Sequence, residues 1–107
     1  MKFRVLDAFR RDFARLRPEH QREFRRVVRE RFDPACDDWA ESVAARKHHV
    51  WPKALRVDEI VGGRGVMEMT WSFASPDGRA TFQLDRVDSD WVCTWRRVGD
   101  HGVFADP

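Results

Sequence analysis

With 107 residues, 42% of them apolar and including five Trp and eight Phe, the chain has enough hydrophobic material for one core but too little length for two, which excludes a disordered or a multidomain protein. Its net charge of +2 is small, and no apolar run nears the roughly 20 residues that span a bilayer. Met1-Lys2-Phe3-Arg4 runs into charged sequence instead of an apolar signal region, so one cytoplasmic domain over residues 1–107, away from any membrane, is expected.

Phe3-Arg4-Val5 alternates briefly, as a short edge strand would. From Asp7 the period changes. Leu6, Phe9, Phe13 and Leu16 are spaced by three and four, which predicts a helix over 7–17 with Asp7 as N-cap. Pro18 suits the first turn of a second helix, predicted over 18–32, with Glu19 at its positive end and Phe24, Val27, Val28 and Phe32 as its buried stripe. Arg22, Arg25, Arg26 and Arg29 recur along another face, where Glu23 and Glu30 offset part of the charge. The two helices form a hairpin that Asp33-Pro34 ends, and Asp37, Trp39, Ala40 and Val43 support at most a short third helix.

Charge is unevenly placed: residues 1–32 hold eleven Lys and Arg against five acids, the remainder nine against thirteen. Such an N-terminal layer either meets a polyanion or an acidic partner, or is a solvated basic face. Cys36 and Cys93 lie in different settings, an acidic turn-like segment and an apolar strand, and are read as free thiols. His48 and His49 point opposite ways in an extended segment and no second ligand pair has zinc spacing, so neither metal nor cofactor is expected.

Trp51-Pro52-Lys53 enters extended because the residue before proline avoids the helical region. Residues 55–61 then read as a strand, and Gly62-Gly63-Arg64-Gly65 as a hairpin turn needing positive φ. Residues 66–73 alternate, with Met67, Met69, Trp71 and Phe73 toward the core and Glu68, Thr70 and Ser72 toward water. After a Pro76-Asp77-Gly78 turn the next strand repeats the division, with Ala80, Phe82 and Leu84 inward and Arg79, Thr81 and Gln83 outward. An Asp88-Ser89-Asp90 turn separates it from a last strand that is apolar on both parities, as a strand with two neighbours is, leaving open which of Arg96 and Arg97 faces outward. The fold class is therefore α+β, a helical hairpin on one face of a small twisted antiparallel sheet of four strands. Phe9, Phe13, Phe24, Val28, Met69, Trp71, Phe82 and Trp95 should share its core.

Pairing of the last two strands would bring Arg79 beside the segment from Arg97 to His101, facing one anionic group. Guanidinium groups fork onto phosphate and imidazole trades a proton near neutral pH, which together fit phosphodiester chemistry without a metal.

Gly78-Arg79-Ala80-Thr81-Phe82 followed by Trp95-Arg96-Arg97-Val98-Gly99-Asp100-His101-Gly102-Val103-Phe104 resembles the RelE/ParE superfamily of type II toxin–antitoxin toxins, in its RelE- and HigB-like branch. The resemblance covers most of the chain and is strongest over 55–107. It implies helices on a small antiparallel sheet, cleavage of messenger RNA on the ribosome, and a cognate antitoxin encoded by an adjacent gene. It further implies Arg79 on the scissile phosphate, one of Arg96 and Arg97 on the developing charge, His101 in proton transfer and Glu68 as base, with Arg97 counted in the catalytic set. Lys53, Arg64, Arg96, Phe104 and the ridge of Arg22, Arg25, Arg26 and Arg29 would contact RNA. Glu68 has a second reading as the ion-pair partner of Arg79. The chain departs from the family in having no Tyr. Phe104 stands in the comparable place, able to stack on a base but not to donate a proton. Glu68 and Thr70 stand where lysines would help, and the Asp88-Ser89-Asp90 turn and Asp100 add negative charge nearby. The alternative reading is therefore a catalytically weak or inactive toxin-fold module that binds an antitoxin-like partner.

Overall fold

A computed structural model of the chain describes residues 1–60, 62, 64–72, 77–100 and 106–107. The fold is α+β: a mixed five-stranded sheet whose one face carries the helices. In chain order the elements are strand β1 (Lys2–Val5), helix α1 (Asp7–Arg15), helix α2 (Pro18–Val27), a π-helical turn (Val28–Phe32), helix α3 (Asp33–Ala44), a 3₁₀ turn (Lys53–Leu55), and strands β2 (Asp58–Glu59), β3 (Met67–Ser72), β4 (Gly78–Val87) and β5 (Asp90–Gly99). The strand order is β1-β5-β4-β3-β2.

Residues 3–5 do form an edge strand, but β1 runs parallel to β5, so the sheet is not purely antiparallel. A parallel pair needs a long crossover, and everything from α1 to β4 supplies it. The expected strand over 55–61 shrinks to two residues because Lys53–Leu55 closes a 3₁₀ turn and Arg56 then takes a left-handed conformation at φ 44°. Gly62 and Gly65 have the positive φ expected of the β2–β3 turn, closed by Ile60 N donating to Val66 O.

Two helical expectations are corrected. Leu6, not Asp7, sits at the N-cap of α1, and Asp7 is the first helical residue, 3.3 Å from Arg10. The helix opened by Pro18 does not stop at Asp33-Pro34. It continues through α3 to Ala44, giving one long rod in place of a hairpin ending at Phe32. Proline inside a helix lacks its N–H and collides with the carbonyl four residues back. The π turn just before Pro34, in which Asp33 N donates to Val28 O, widens the preceding turn and lets the helix pass.

The aromatic stripes meet on the helix side of the sheet. Phe9, Phe24, Phe32, Met69, Trp71, Phe82 and Trp95 are buried there, with Phe13 and Val28 packed against them, so all eight expected core residues share one cluster. Phe82 and Trp95 pair across β4 and β5 with rings 5.7 Å apart. Cys36 of α3 and Cys93 of β5, far apart in sequence, are both free, fully buried and in contact; burial and that neighbour push the Cys93 thiol up. Among the described residues no helix is long and apolar enough to cross a membrane.

Candidate functional site: the β4–β5 end of the sheet

Strands β4 and β5 pair antiparallel with Arg79 opposite Gly99, so the start of one and the end of the other meet as expected. Two contacts fix that start. The Trp71 indole Nε1 donates to Arg79 O at 3.0 Å, and Gly78 lies flat on the same ring, where a Cβ would approach to 2.6 Å. Only glycine allows so close an approach.

From this platform Arg79 points to the sheet face away from the helices, where its guanidinium lies 3.6 Å from Glu68 and 3.4 Å from Asp77. Arg79 and Glu68 are only 12% and 16% exposed. The ion-pair reading of Glu68 therefore holds geometrically, and both groups remain at the edge of solvent.

β5 contains a bulge that decides the question left open by its apolar pattern. Thr81 faces Arg97 and Phe82 faces Trp95, so Arg96 is the extra residue. Arg96 donates to Gln83 Oε1 at 2.9 Å and to Pro107 O at 3.0 Å on the open face. Arg97 reaches back to α1, donating to both carboxylate oxygens of Asp12 at 2.6 and 3.1 Å, and it also contacts Asp106. Burial pushes the Asp12 carboxyl up, but the hydrogen bonds from Arg97 and Val98 N and the charges of Arg97 and Arg15 outweigh it and hold the carboxyl below the usual aspartate range. Arg97 is pushed up in turn by its bond to Asp12, against the effect of burial. A two-pronged pair of this kind binds a helix to a strand and leaves little of Arg97 for a ligand.

The outer face is less open than alternation implies. Thr70, Thr81 and Thr94 point away from the helices yet are buried. Pro107 O accepts from both Thr81 Oγ1 and Arg96, so the end of the described chain lies across the middle of this face. His101 and Phe104 fall outside the described residues. The Asp88-Ser89 turn, with φ of 49° and 72°, closes the opposite end of the β4–β5 hairpin from Arg79 and so adds no charge near it.

The remaining RNA-contact candidates are spread over the molecule. Lys53 is exposed in the 3₁₀ turn and Arg64 exposed in the β2–β3 turn at φ 53°. Arg22, Arg25, Arg26 and Arg29 all stay exposed along the helical rod. Arg26 is shared between Glu23 and Glu30, Arg29 lies 3.7 Å from Glu30, and Arg25 sits 4.9 Å above the Phe13 ring. Arg22 makes no ion pair among the described residues, so the ridge keeps part of its charge.

Sequence reasoning missed a cleft of about 560 Å³ on the helix side of the same sheet end, between the α1–α2 corner and the β4–β5 end. Asp12, Arg15, Leu16, Arg17 and His20 line it from the α1–α2 corner, and Trp71, Asp77, Gly78, Gly99 and Asp100 from the sheet end. His20 packs edge-on to Trp71 with ring centres 5.9 Å apart. No periodicity marks these residues, because corner residues join the cleft only once α1 docks on β5. Among the described residues no group of three His, Cys, Asp or Glu is placed to hold a metal ion.

The chain matches no family model, no curated protein and no solved structure.

Proposed function

We propose that this chain is the toxin of a type II toxin–antitoxin pair, a cytoplasmic, metal-independent endoribonuclease that acts on translated messenger RNA and is restrained by an antitoxin encoded next to it. Its motifs supply the RelE/ParE resemblance. The observation that carries the reading is that Arg79, Glu68 and Arg96 share one face of the β3-β4-β5 unit, with Arg79 3.6 Å from Glu68 and Arg96 farther along β4 on Gln83.

In this reading Glu68 takes the 2′-hydroxyl proton and the freed oxygen attacks the adjacent phosphorus. Arg79 clamps the phosphate, and His101 returns a proton to the departing 5′-oxygen, leaving a 2′,3′-cyclic phosphate. Arg96 suits the developing charge better than Arg97, since its partners are the neutral oxygens of Gln83 and Pro107, whereas Asp12 already neutralises Arg97. Arg97 acts by positioning β5. The exposed arginines of the helical rod hold ribosomal RNA or an acidic antitoxin segment through backbone phosphates or carboxylates.

One observation favours the second reading, a toxin-fold binding module without cleavage. Carboxylates already occupy both Arg79 and Arg97. Induced expression with and without the adjacent gene, with transcript ends mapped, separates the two. New ends that vanish when the neighbour is co-expressed support the nuclease, while growth arrest without new ends replaces it with the binding module.

A further inference from the structure

The cleft at the α1–α2 corner is used by nothing above, yet it opens at the same sheet end as Arg79: Asp77 and Gly78, which precede Arg79 in the chain, line it, and so does Gly99, opposite Arg79 in register. Its volume of about 560 Å³ falls within the roughly 300–1,000 Å³ usual for small-ligand pockets.

The charge it presents is decided by which of its groups are already paired. Asp12 is held by Arg97 at 2.6 Å and Asp77 by Arg79 at 3.4 Å, so both carboxylates are balanced from outside the cleft. Arg15, one turn along α1 from Asp12, makes no ion pair among the described residues, and Arg17 shares only the exposed Glu19 at 3.3 Å. Arg17 Nη2 also lies 3.3 Å from His20 Nε2, which brings the two side chains to one spot. The guanidiniums of Arg15 and Arg17 outnumber Asp100, the remaining carboxylate of the lining. Trp71, Leu16 and two glycines add an apolar strip to the same lining.

We infer that this cleft is a nucleotide subsite: it takes one nucleotide of a single-stranded RNA, with the phosphate on Arg15 and Arg17 and the base against His20, Leu16 and the Trp71 edge. The inference rests on the RNA-directed reading above and names where the strand goes after it leaves Arg79. Arginine forks onto a phosphate, and a flat ring packs on aromatic and apolar side chains whichever base it carries, so the subsite adds affinity with little sequence preference.

The test uses the full chain with two probes: 5′-AMP, and a labelled RNA hexanucleotide with 2′-O-methyl riboses, which cannot be cut by its own 2′-oxygen. Amide resonances of His20, Gly78 and Gly99 should shift on titration with either probe. Arg15→Glu and His20→Ala should each weaken hexanucleotide binding about tenfold or more, the usual cost of one charge-assisted contact or one stacking partner. Arg11→Glu makes the same charge change on an exposed face of α1 outside the cleft and should cost much less. Equal losses in Arg11→Glu and Arg15→Glu would reduce the effect to general electrostatics and overturn the subsite. Hexanucleotide binding that leaves the three amides unmoved would overturn it too, while the RNA-directed reading stands. Shifts with 5′-AMP but no hexanucleotide binding would keep the cleft as a nucleotide site and remove the RNA reading instead.

Discussion

The two faces of the β4–β5 hairpin are built from neighbouring residues of the same strands but are stabilised by different physics. Toward the helices Phe82 and Trp95 face each other with Phe24 and Phe32 above them, an apolar contact that needs only shape. Away from the helices Thr81 and Gln83, with the bulged Arg96, form a polar layer whose members are buried or half-buried and are satisfied one hydrogen bond at a time. The first face tolerates substitution according to volume. The second tolerates it according to whether each donor keeps an acceptor.

Adjacent residues offer the sharpest way to break that comparison. Phe82→Ala should cost about 3–5 kcal/mol, as deletion of a buried ring in a close-packed core does. Thr81→Val keeps the shape and loses only the bond to Pro107, so about 1 kcal/mol is expected. Urea denaturation of both variants measures the difference; equal losses would mean that the outer layer is core in all but name.

Next in size is Arg79→Ala, which should lower RNA cleavage about a hundredfold or more, as loss of a preorganised donor to a developing charge does. Its far-ultraviolet circular dichroism should match the parent. Cleavage retained at the parental rate by the folded variant would remove Arg79 from the chemistry and leave it as the partner of Glu68 and Asp77.

The inner face was legible because its physics is periodic. Spacings of three and four placed Phe9, Phe24 and Phe32, and alternation placed Met69, Trp71 and Phe82. The outer layer was only half legible. Alternation assigned Arg79, Thr81 and Gln83 to that side, but a bulge at Arg96 resets the parity of β5 and no pattern announces it. The helix boundary at Pro34 failed for a similar reason, since a π turn absorbs a residue that local propensity treats as a stop. Asp12 escaped notice because its role depends on a partner 85 residues away.

That long-range pair gives a pH prediction. Asp12 has a folded-state pKa below its ordinary value, so its contribution is present above about pH 4, the ordinary aspartate value, and is lost as pH falls through the lower folded value. Asp12→Asn should cost about 1.5–3 kcal/mol at neutral pH, in the range of hydrogen bonds to charged groups. It should also flatten the acid limb of the stability profile. An unchanged acid limb, measured by thermal melting from pH 6 to pH 2, would show that Asp12 does not titrate with folding.

The smallest effect on folding is expected on the exposed side of the helical rod. Arg22 and Arg29 are exposed, and among the described residues the one ion pair that either makes is the 3.7 Å contact of Arg29 with Glu30. Exposed pairs of that length contribute little. Arg22→Glu combined with Arg29→Glu should therefore change stability by no more than about 0.5 kcal/mol, the usual size for surface substitutions. Binding should behave differently, because arginines on a helix surface meet phosphates whose counterions are released on contact. The double variant should weaken association with ribosomal RNA and reduce the slope of log affinity against log salt by about one for each arginine that touches a phosphate. An unchanged salt slope with both RNA and antitoxin would leave the ridge as a solvated face of the helix and move the electrostatic contacts to the sheet end, where Arg15, Arg17 and Arg79 lie.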